Sequence, residues 1–239
     1  MTGDVFAGLT TAHVADACVR ADVPVRCGPA GTRSVLPAAS GAADSPGRVT
    51  GRALPARHVG SVDVFLEAFE QAEPGDVLVV DNGGRLDEAC VGDLVVLEAR
   101  AAGLAGIVIW GLHRDTADIR AIGLPVFSLG SIPSGPLGVT ARPPEALVSA
   151  RVGEWTVTRD DTVFADDDGV LFVPSARVDE LAALARGIRD TERGQAERVR
   201  AGESLRDQLA FAAFLKARED DPALTFRRHL RRLGGAIEE

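Results

Sequence analysis

Apolar and polar positions follow helix-like and strand-like spacing in turn along this chain. Apolar residues at three- and four-residue spacing predict helices over residues 10–21, 62–72, 94–102 and 116–121. Short apolar or alternating runs between glycine and proline predict strands over residues 48–58, 77–80, 106–110 and 125–128. Strands separated by helices are typical of parallel pairing in an α/β fold.

The pattern changes again in the second half of the chain, at residue 177. Before it, short strands with hairpin-turn chemistry between the last two are predicted over residues 147–152, 155–157, 162–165 and 170–174. After it the pattern is helical, with interruptions predicted at Gly187, Gly194 and Gly202. Pro222 separates a last short helix, predicted over residues 225–233.

Parallel strands followed by antiparallel ones indicate an α/β sandwich with a mixed sheet. This domain is predicted over residues 1–176, and residues 177–239 are predicted to form a helical C-terminal extension that packs in part on a neighbouring subunit. Residues 28–47 and 131–144 are rich in glycine and proline, so loops are expected there, the first with a weak strand.

Composition excludes several classes of function. The net charge of −9 argues against nucleic-acid binding. No apolar run reaches the length of a membrane span and the N-terminus shows no signal-peptide pattern, so a cytoplasmic location is expected. The chain has a single lysine, Lys216, on a polar helical face, which disfavours Schiff-base chemistry. Cys18, Cys27 and Cys90 match no zinc or redox spacing and are interpreted as structural thiols.

The most informative spacing joins Gly92 and Asp93 to Arg114 and Asp115 across twenty residues. The segment between them holds one predicted helix and one predicted strand, and such a crossover returns the chain to the same edge of a parallel sheet. The first amides of a helix together with a guanidinium bind an anion, and paired carboxylates hold a hard metal ion. We therefore predict a metal-assisted site for a small carboxylate.

Each part of this pattern also has an ordinary structural explanation. Asp93 is a favourable first residue of a helix, and Arg114 with Asp115 can cap and solvate a junction. The loop over residues 81–84 either borders the same crevice or is a tight turn that needs glycine. The aspartates at residues 166–168 resemble a metal site but are explained as hairpin-turn residues.

The histidines and the remaining sequence motifs give weaker evidence about function. His58 and His113 either touch the substrate or are hydrogen-bonded loop histidines, and His13 is expected at the surface or at an interface. No Gly-x-Gly-x-x-Gly follows a strand, so a dinucleotide or methyl-donor pocket is unsupported. No Gly-x-Ser-x-Gly turn is present, which disfavours a serine hydrolase.

Several segments resemble the RraA-like family, which includes 4-hydroxy-4-methyl-2-oxoglutarate and 4-carboxy-4-hydroxy-2-oxoadipate aldolases. These segments are AEPGDVLVVD at residues 72–81, GDLV at 92–95, GIVIWGLHRD at 106–115, GLPVF at 123–127 and ADDDGVLFVP at 165–174. The aspartate, twenty residues and Arg-Asp pattern is intact. Trp110, Gly111, Leu112 and His113 depart from the residues that many members have before their Arg-Asp, which bears on the substrate.

The resemblance implies an α/β/α sandwich related to swivelling phosphohistidine domains, assembled as a homotrimer or a dimer of trimers with sites between subunits. It implies that the amides of Gly92, Asp93, Leu94 and Val95 bind a pyruvate-like carboxylate, paired with Arg114. Asp115 would then bind Mg²⁺ or Mn²⁺, and Asp93 would orient a metal-bound water. Glu203 of a neighbouring subunit is the candidate to complete the metal site.

The implied reaction is metal-dependent retro-aldol cleavage of a 4-hydroxy-2-oxo acid to pyruvate, with oxaloacetate decarboxylation as a side activity. Two alternatives remain open. The family also includes an inhibitor of an RNA-degrading endonuclease, so the chain is alternatively a non-catalytic trimeric regulator. It is otherwise a family enzyme for a different 2-oxo or sugar acid, with His58, His113 and Trp110 as the residues that set the difference. A methyltransferase, a further label within the family, finds no support in the sequence.

Overall fold

A computed structural model describes residues 5–37 and 47–233 of the chain. Its helices are α1 (Thr11–Arg20), α2 (Asp63–Glu70), α3 (Asp93–Ala101), α4 (Thr116–Ile122), α5 (Val178–Arg200), α6 (Leu205–Gln208), α7 (Phe211–Asp220) and α8 (Phe226–Leu233). Its strands are β1 (Arg26–Cys27), β2 (Arg33–Ser34), β3 (Val49–Arg57), β4 (Val77–Asp81), β5 (Ala89–Val91), β6 (Gly106–Trp110), β7 (Leu112–His113), β8 (Val126–Ser128), β9 (Ser149–Val152), β10 (Trp155–Thr158), β11 (Asp161–Asp166) and β12 (Gly169–Pro174).

The described strands form one large mixed sheet and two small ones. The large sheet has the order β1-β12-β11-β3-β4-β6-β8-β2. Its central strands β3, β4, β6 and β8 are parallel, whereas β1, β2, β11 and β12 pair antiparallel. The small sheets are the β9–β10 hairpin and the parallel pair β5–β7. The predicted α/β fold with a mixed sheet is confirmed.

Helices cover one face of the large sheet. Helices α2, α3 and α4 pack on its centre, on residues such as Leu54 and Leu78, and α1 and α5 pack on Phe164 near its edge. The other face is covered by the β9–β10 hairpin and by curling of the sheet, which brings Phe127 of β8 and Phe172 of β12 into one cluster. This curled arrangement replaces the second helical layer of the predicted sandwich. The relation to swivelling phosphohistidine domains stays a prediction.

The helical extension begins with a helix longer than predicted. Helix α5 runs through Gly187 and Gly194 without a break and ends before Gly202, whose φ of +99° terminates it. The side chains of Leu181 and Ile188 are fully buried in the cluster shared with α1. This burial outweighs the cost of about 1 kcal/mol that a glycine imposes on a helix. The predicted break at Pro222 is present between α7 and α8.

The glycine- and proline-rich loops match their predictions where the structure describes them. Residues 131–144 form a loop, and β2 is the weak strand expected within residues 28–47, of which 38–46 lie outside the described residues. None of the described helices combines the length and the apolar character that crossing a membrane requires.

Replacing Gly187 by alanine is expected to raise the free energy of unfolding by about 0.5–1 kcal/mol, since a Cβ there meets open space within a regular helix. Gly202→Ala is the matched control, because its Cβ also meets nothing within 4 Å but its φ is +99°. We expect that substitution to lower the stability. Urea unfolding of both variants checks the pair, and a loss of stability in Gly187→Ala would contradict the prediction.

Candidate functional site

Two short strands bring the predicted site residues together. Strands β5 and β7 pair in parallel beyond the ends of β4 and β6, with Val91 opposite His113. The Arg114 N–H donates to the Val91 carbonyl at 3.0 Å. Gly92, which follows β5, therefore lies beside Arg114 and Asp115, which follow β7. The sequence prediction that these residues meet at one edge of the sheet agrees with this geometry.

Gly92 is in close contact with both charged side chains. A Cβ at this position would lie 2.5 Å from Asp115 Oδ2 and 3.2 Å from Arg114 Nε. The backbone of Gly92 is extended, with φ −127°, so any residue could adopt it and only the contact favours glycine. Arg114 Nε lies 3.3 Å from Asp115 Oδ2. The missing side chain thus makes room for a guanidinium–carboxylate pair at the start of α3.

The first turn of α3 presents backbone amides at the same place. Gly92 is its N-cap and no side chain accepts a capping bond there. The Leu94 N–H donates to Asp93 Oδ1 at 2.8 Å, so one of the four predicted amide donors is already used by Asp93 itself. The remaining first-turn amides have no partner within the helix, which favours an anion at this end.

Arg114 and Asp115 are both partly exposed, with 47% and 36% of their side-chain surface accessible. The guanidinium of Arg114 packs against the loop that follows β8, because a Cβ on Gly135 would lie 2.6 Å from its Nη1. Asp115 adopts a left-handed backbone conformation, with φ 59° and ψ 40°, and is the N-cap of α4. A left-handed aspartate is uncommon and is a reason to examine the position for function.

His113 is a hydrogen-bonded interior residue. It is 4% exposed, its Nδ1 lies 2.7 Å from Ser128 Oγ, and its Nε2 lies 3.0 Å from Thr116 Oγ1. Burial lowers the pKa of His113, so the ring is neutral at physiological pH. Of the two interpretations of this residue, the structure favours the hydrogen-bonded histidine, which ties β7 to β8 and to the first turn of α4.

The two aspartates suit a metal that keeps most of its water. Asp115 contacts Gly92 and Asp93 follows Gly92 in the chain, and Mg²⁺ characteristically takes one or two carboxylates plus waters and substrate oxygens. Among residues 5–37 and 47–233, no three His, Cys, Asp or Glu side chains group to hold a metal ion. Glu203 lies after α5, with its Oε2 3.6 Å from Arg198 Nε. Its contribution from a neighbouring subunit stays a prediction.

The other acidic and thiol candidates have structural roles. Asp166 accepts hydrogen bonds from the Thr11 N–H and hydroxyl, both at 2.7 Å, and thus fixes the start of α1, which the sequence did not reveal. Asp81 accepts from the N–H groups of Gly83 and Arg151. Cys90 is buried in the core, and burial raises the pKa of its thiol. These observations agree with structural explanations for the 166–168 turn and for Cys90.

A cavity of about 730 Å³ opens beside the predicted site, at the ends of β3, β4 and β6. His58 and Trp110, which the sequence analysis singled out for specificity, line it together with Asn82. His58 Nδ1 lies 2.8 Å from Asn82 Oδ1, and burial lowers the pKa of His58. Arg57 and Arg151 also line this cavity. Neither arginine is among the site residues predicted from the sequence, and the one available signal is that Arg57 lies next to the end of the strand predicted over residues 48–58.

Replacing Gly92 by alanine is expected to separate Arg114 and Asp115 while leaving the fold intact, because the new Cβ meets only the ends of two partly exposed side chains. If the chain has the retro-aldol activity that the family resemblance implies, we expect pyruvate formation to fall by about 10²-fold, as for the loss of one positioned group in an active site. Steady-state kinetics and thermal unfolding check this. Unchanged activity would show that the contact has no role.

The chain is similar in sequence or in structure to several known proteins. The chain is 33% identical over 130 residues to Protein DlpA of Legionella pneumophila, a match that covers 54% of this chain and 21% of DlpA. The chain thus spans about a fifth of the length of this curated relative. An uncharacterized protein from Pseudomonas syringae pv. tomato has a similar structure, with a TM-score of 0.70 and 26% identity over 84% of this chain and 93% of that chain.

A second solved structure is Streptomyces coelicolor RraAS2, described as an unusual member of the RNase ES inhibitor RraA protein family. It aligns with a TM-score of 0.67 and 26% identity over 81% of this chain and 96% of that chain. The RraA-like family, described as Aldolase/RraA, matches residues 11–172, which is more than half of the chain. The protein therefore belongs to the RraA-like family.

Proposed function

We propose that this protein is a divalent-metal-dependent lyase that cleaves a 4-hydroxy-2-oxo acid by a retro-aldol reaction to pyruvate and a second carbonyl compound. The observation that supports this most is the contact of Gly92 with Arg114 and Asp115 at the start of α3. Oxaloacetate decarboxylation is a proposed side activity, because it passes through the same pyruvate enolate.

The substrate carboxylate is proposed to lie between α3 and Arg114. Helix α3 has nine residues, and its first-turn amides other than that of Leu94 have no acceptor within the helix and favour a negative charge. The guanidinium of Arg114 forms hydrogen bonds to carboxylate oxygens in a fixed planar geometry. Together these groups would orient the 2-oxo acid with its oxo group toward Asp115.

Asp115 is proposed to hold Mg²⁺ or Mn²⁺ directly, and Asp93 to hold it through a water, with Glu203 of a neighbouring subunit as a further ligand. The metal supplies a Lewis acid that polarises the 2-oxo group. Lys216, the one lysine of the chain, is exposed on α7, whereas Schiff-base chemistry needs a desolvated lysine. The lysine content therefore supports the metal-dependent route.

Asp93 is the residue proposed to organise proton transfer. Its Oδ1 is bonded to the Leu94 N–H, which leaves Oδ2 to hold a water that accepts the 4-hydroxyl proton. Loss of this proton forms the new carbonyl at C4 and breaks the C3–C4 bond, whose electron pair remains on the pyruvate part as an enolate. Arg114 stabilises the negative charge of the enolate. Return of the proton to C3 then gives pyruvate.

A trimer, or a dimer of trimers, is proposed because apolar side chains are exposed next to the site. Leu94 is 74% and Leu97 47% exposed, three residues apart on one side of α3. Exposed apolar residues in such a group are typical of a subunit contact. A contact here would place a neighbouring subunit beside Asp93.

The similarity to RraAS2 supports a second candidate, a non-catalytic regulator. A regulator needs the assembled surface but no carboxylates in contact with an arginine at a helix start. The departure at Trp110 and the cavity that it lines support a third, a lyase for another 2-oxo or sugar acid.

Release of pyruvate from 4-hydroxy-4-methyl-2-oxoglutarate and from oxaloacetate, with Mg²⁺, with Mn²⁺ or with EDTA, tests the proposal. We expect turnover with metal, loss with EDTA and recovery when metal is added back. Metal binding without turnover of either compound would favour a different acid as substrate. Neither metal binding nor turnover would overturn the lyase in favour of the regulator.

A further inference from the structure

The cavity at the ends of β3, β4 and β6 contains charged side chains that the proposed reaction does not use. It has a volume of about 730 Å³ and is bordered by the β9–β10 hairpin and by Gly138, Val139 and Thr140. Neither Arg114 nor Asp115 lines it. Its chemistry is therefore set by other residues.

Two of the cavity arginines have no carboxylate partner among the described residues. The guanidinium of Arg57 makes no hydrogen bond or ion pair to any of them, although Arg57 ends β3 at the cavity wall. The guanidinium of Arg151 donates to the Gly153 carbonyl, at 3.3 Å, and its carbon lies 5.3 Å from the centre of the Trp110 ring. This cation–π contact holds Arg151 against the wall of the cavity.

The buried acidic groups of the cavity are already bonded elsewhere. Glu88 is 1% exposed, with Oε1 3.0 Å from Arg85 Nη1 and Oε2 accepting from the Leu137 N–H at 2.8 Å. Asp81 accepts from the backbone N–H groups of Gly83 and Arg151. Glu145 is the remaining acid of the lining, and it is exposed. Neither the Arg57 nor the Arg151 guanidinium therefore forms an ion pair with these carboxylates.

Neutral polar groups complete the wall. His58 is 7% exposed and Asn82 4% exposed, and the two side chains are hydrogen-bonded to each other. The second amide atom of Asn82, Nδ2, is buried without a hydrogen-bond partner in the described part of the chain. Nδ2 lies against Gly111, 3.2 Å from where a Cβ on that residue would be, so the groups left to bind a ligand in the cavity are the two guanidinium groups that lack a carboxylate partner.

We infer that this cavity is a second anion-binding site, which takes a carboxylate or phosphate group of a small molecule between Arg57 and Arg151. Arginine recognises both groups through paired hydrogen bonds, and the Trp110 ring holds the Arg151 guanidinium at the cavity wall. The inference does not depend on lyase activity, because the site is defined by binding alone.

The cavity and the Arg114 site share one segment of the chain. Gly135 lies against Arg114, while Gly138 to Thr140 border the cavity. The anion therefore comes from one of two sources. It is either the second acidic group of a compound whose first carboxylate lies at Arg114, or a separate anion that binds next to the substrate.

Calorimetric titration with 2-oxoglutarate and with inorganic phosphate, at neutral pH and low ionic strength, tests the site in the full chain. The variants are Arg57→Gln, Arg151→Gln and Arg114→Gln. Arg200→Gln is the matched control, since Arg200 is exposed at the end of α5, away from the cavity. We expect Arg57→Gln and Arg151→Gln each to weaken binding by about tenfold to a hundredfold, with no change in the control.

The Arg114→Gln titration distinguishes the two sources. If 2-oxoglutarate binds more weakly to Arg114→Gln as well as to Arg57→Gln, one compound spans both places. If both probes bind Arg114→Gln as they bind the wild type, the cavity takes a separate anion. The inference is overturned if Arg57→Gln and Arg151→Gln bind both probes as tightly as the wild type, or if the wild type binds neither probe.

Discussion

Replacing Asp115 by asparagine is expected to lower kcat/KM for pyruvate release by about 10³-fold, on the proposed lyase function. The change keeps the size of the side chain and removes the negative charge that would hold the metal. Metal-ion stabilisation is worth several kcal/mol, and 1.4 kcal/mol corresponds to a factor of ten. Steady-state kinetics across a range of Mg²⁺ concentrations measure the loss.

The fold of this variant is expected to be nearly as stable as the wild type. The Arg114–Asp115 pair is exposed to solvent at 47% and 36%, and pairs of this kind contribute little to stability. Asp118→Asn is the matched control, because it removes an exposed carboxylate from the same first turn of α4. If both variants lose activity equally, the charge of the helix start is responsible, and Asp115 has no special role.

Replacing Gly60 by alanine is expected to lower the free energy of unfolding by about 3 kcal/mol, from backbone strain and overpacking together. Gly60 has φ +95°, and a Cβ there would lie 1.8 Å from the Gly138 carbonyl oxygen and 2.9 Å from Val139 Cα. Neither partner is the end of a flexible side chain, so the backbone of residues 138 and 139 must move away from Gly60.

Gly75→Ala separates the two contributions. Gly75 has almost the same backbone dihedral, φ +94°, but a Cβ there meets nothing within 4 Å. We expect this variant to lose only about 1 kcal/mol, the cost of strain alone. Urea unfolding of both variants gives the difference that is due to the close approach. Equal losses would show that the loop adapts to Gly60→Ala without cost.

The sequence predicts elements whose pattern is local and misses those that depend on distant partners. Strand β6 and the hairpin turn between β11 and β12 lie where short apolar runs and turn residues indicate. Strands β5 and β7 have three and two residues, and only their pairing with each other defines them. Gly187 was expected to interrupt a helix, but contacts with α1 that no local pattern shows keep α5 intact.

The candidate site likewise has parts that the sequence predicts and parts that it does not. The approach of Gly92 to Arg114 follows from the length of one crossover connection, so spacing is enough to predict it. The contact of Gly135 with Arg114 is made by a loop rather than by a regular crossover, and the cavity brings together Arg57 and Arg151 from distant parts of the chain. Their meeting depends on the curl of the sheet and on the path of a long loop, which spacing does not encode.

The left-handed backbone of Asp115 has a consequence for how this protein responds to selection. Glycine adopts φ 59° without the steric cost that a Cβ imposes, so Asp115→Gly would relax the backbone where the carboxylate is held. A library screened for heat resistance alone would therefore enrich glycine at this position. The same library screened for turnover would retain aspartate, and the two sequence profiles would diverge here first.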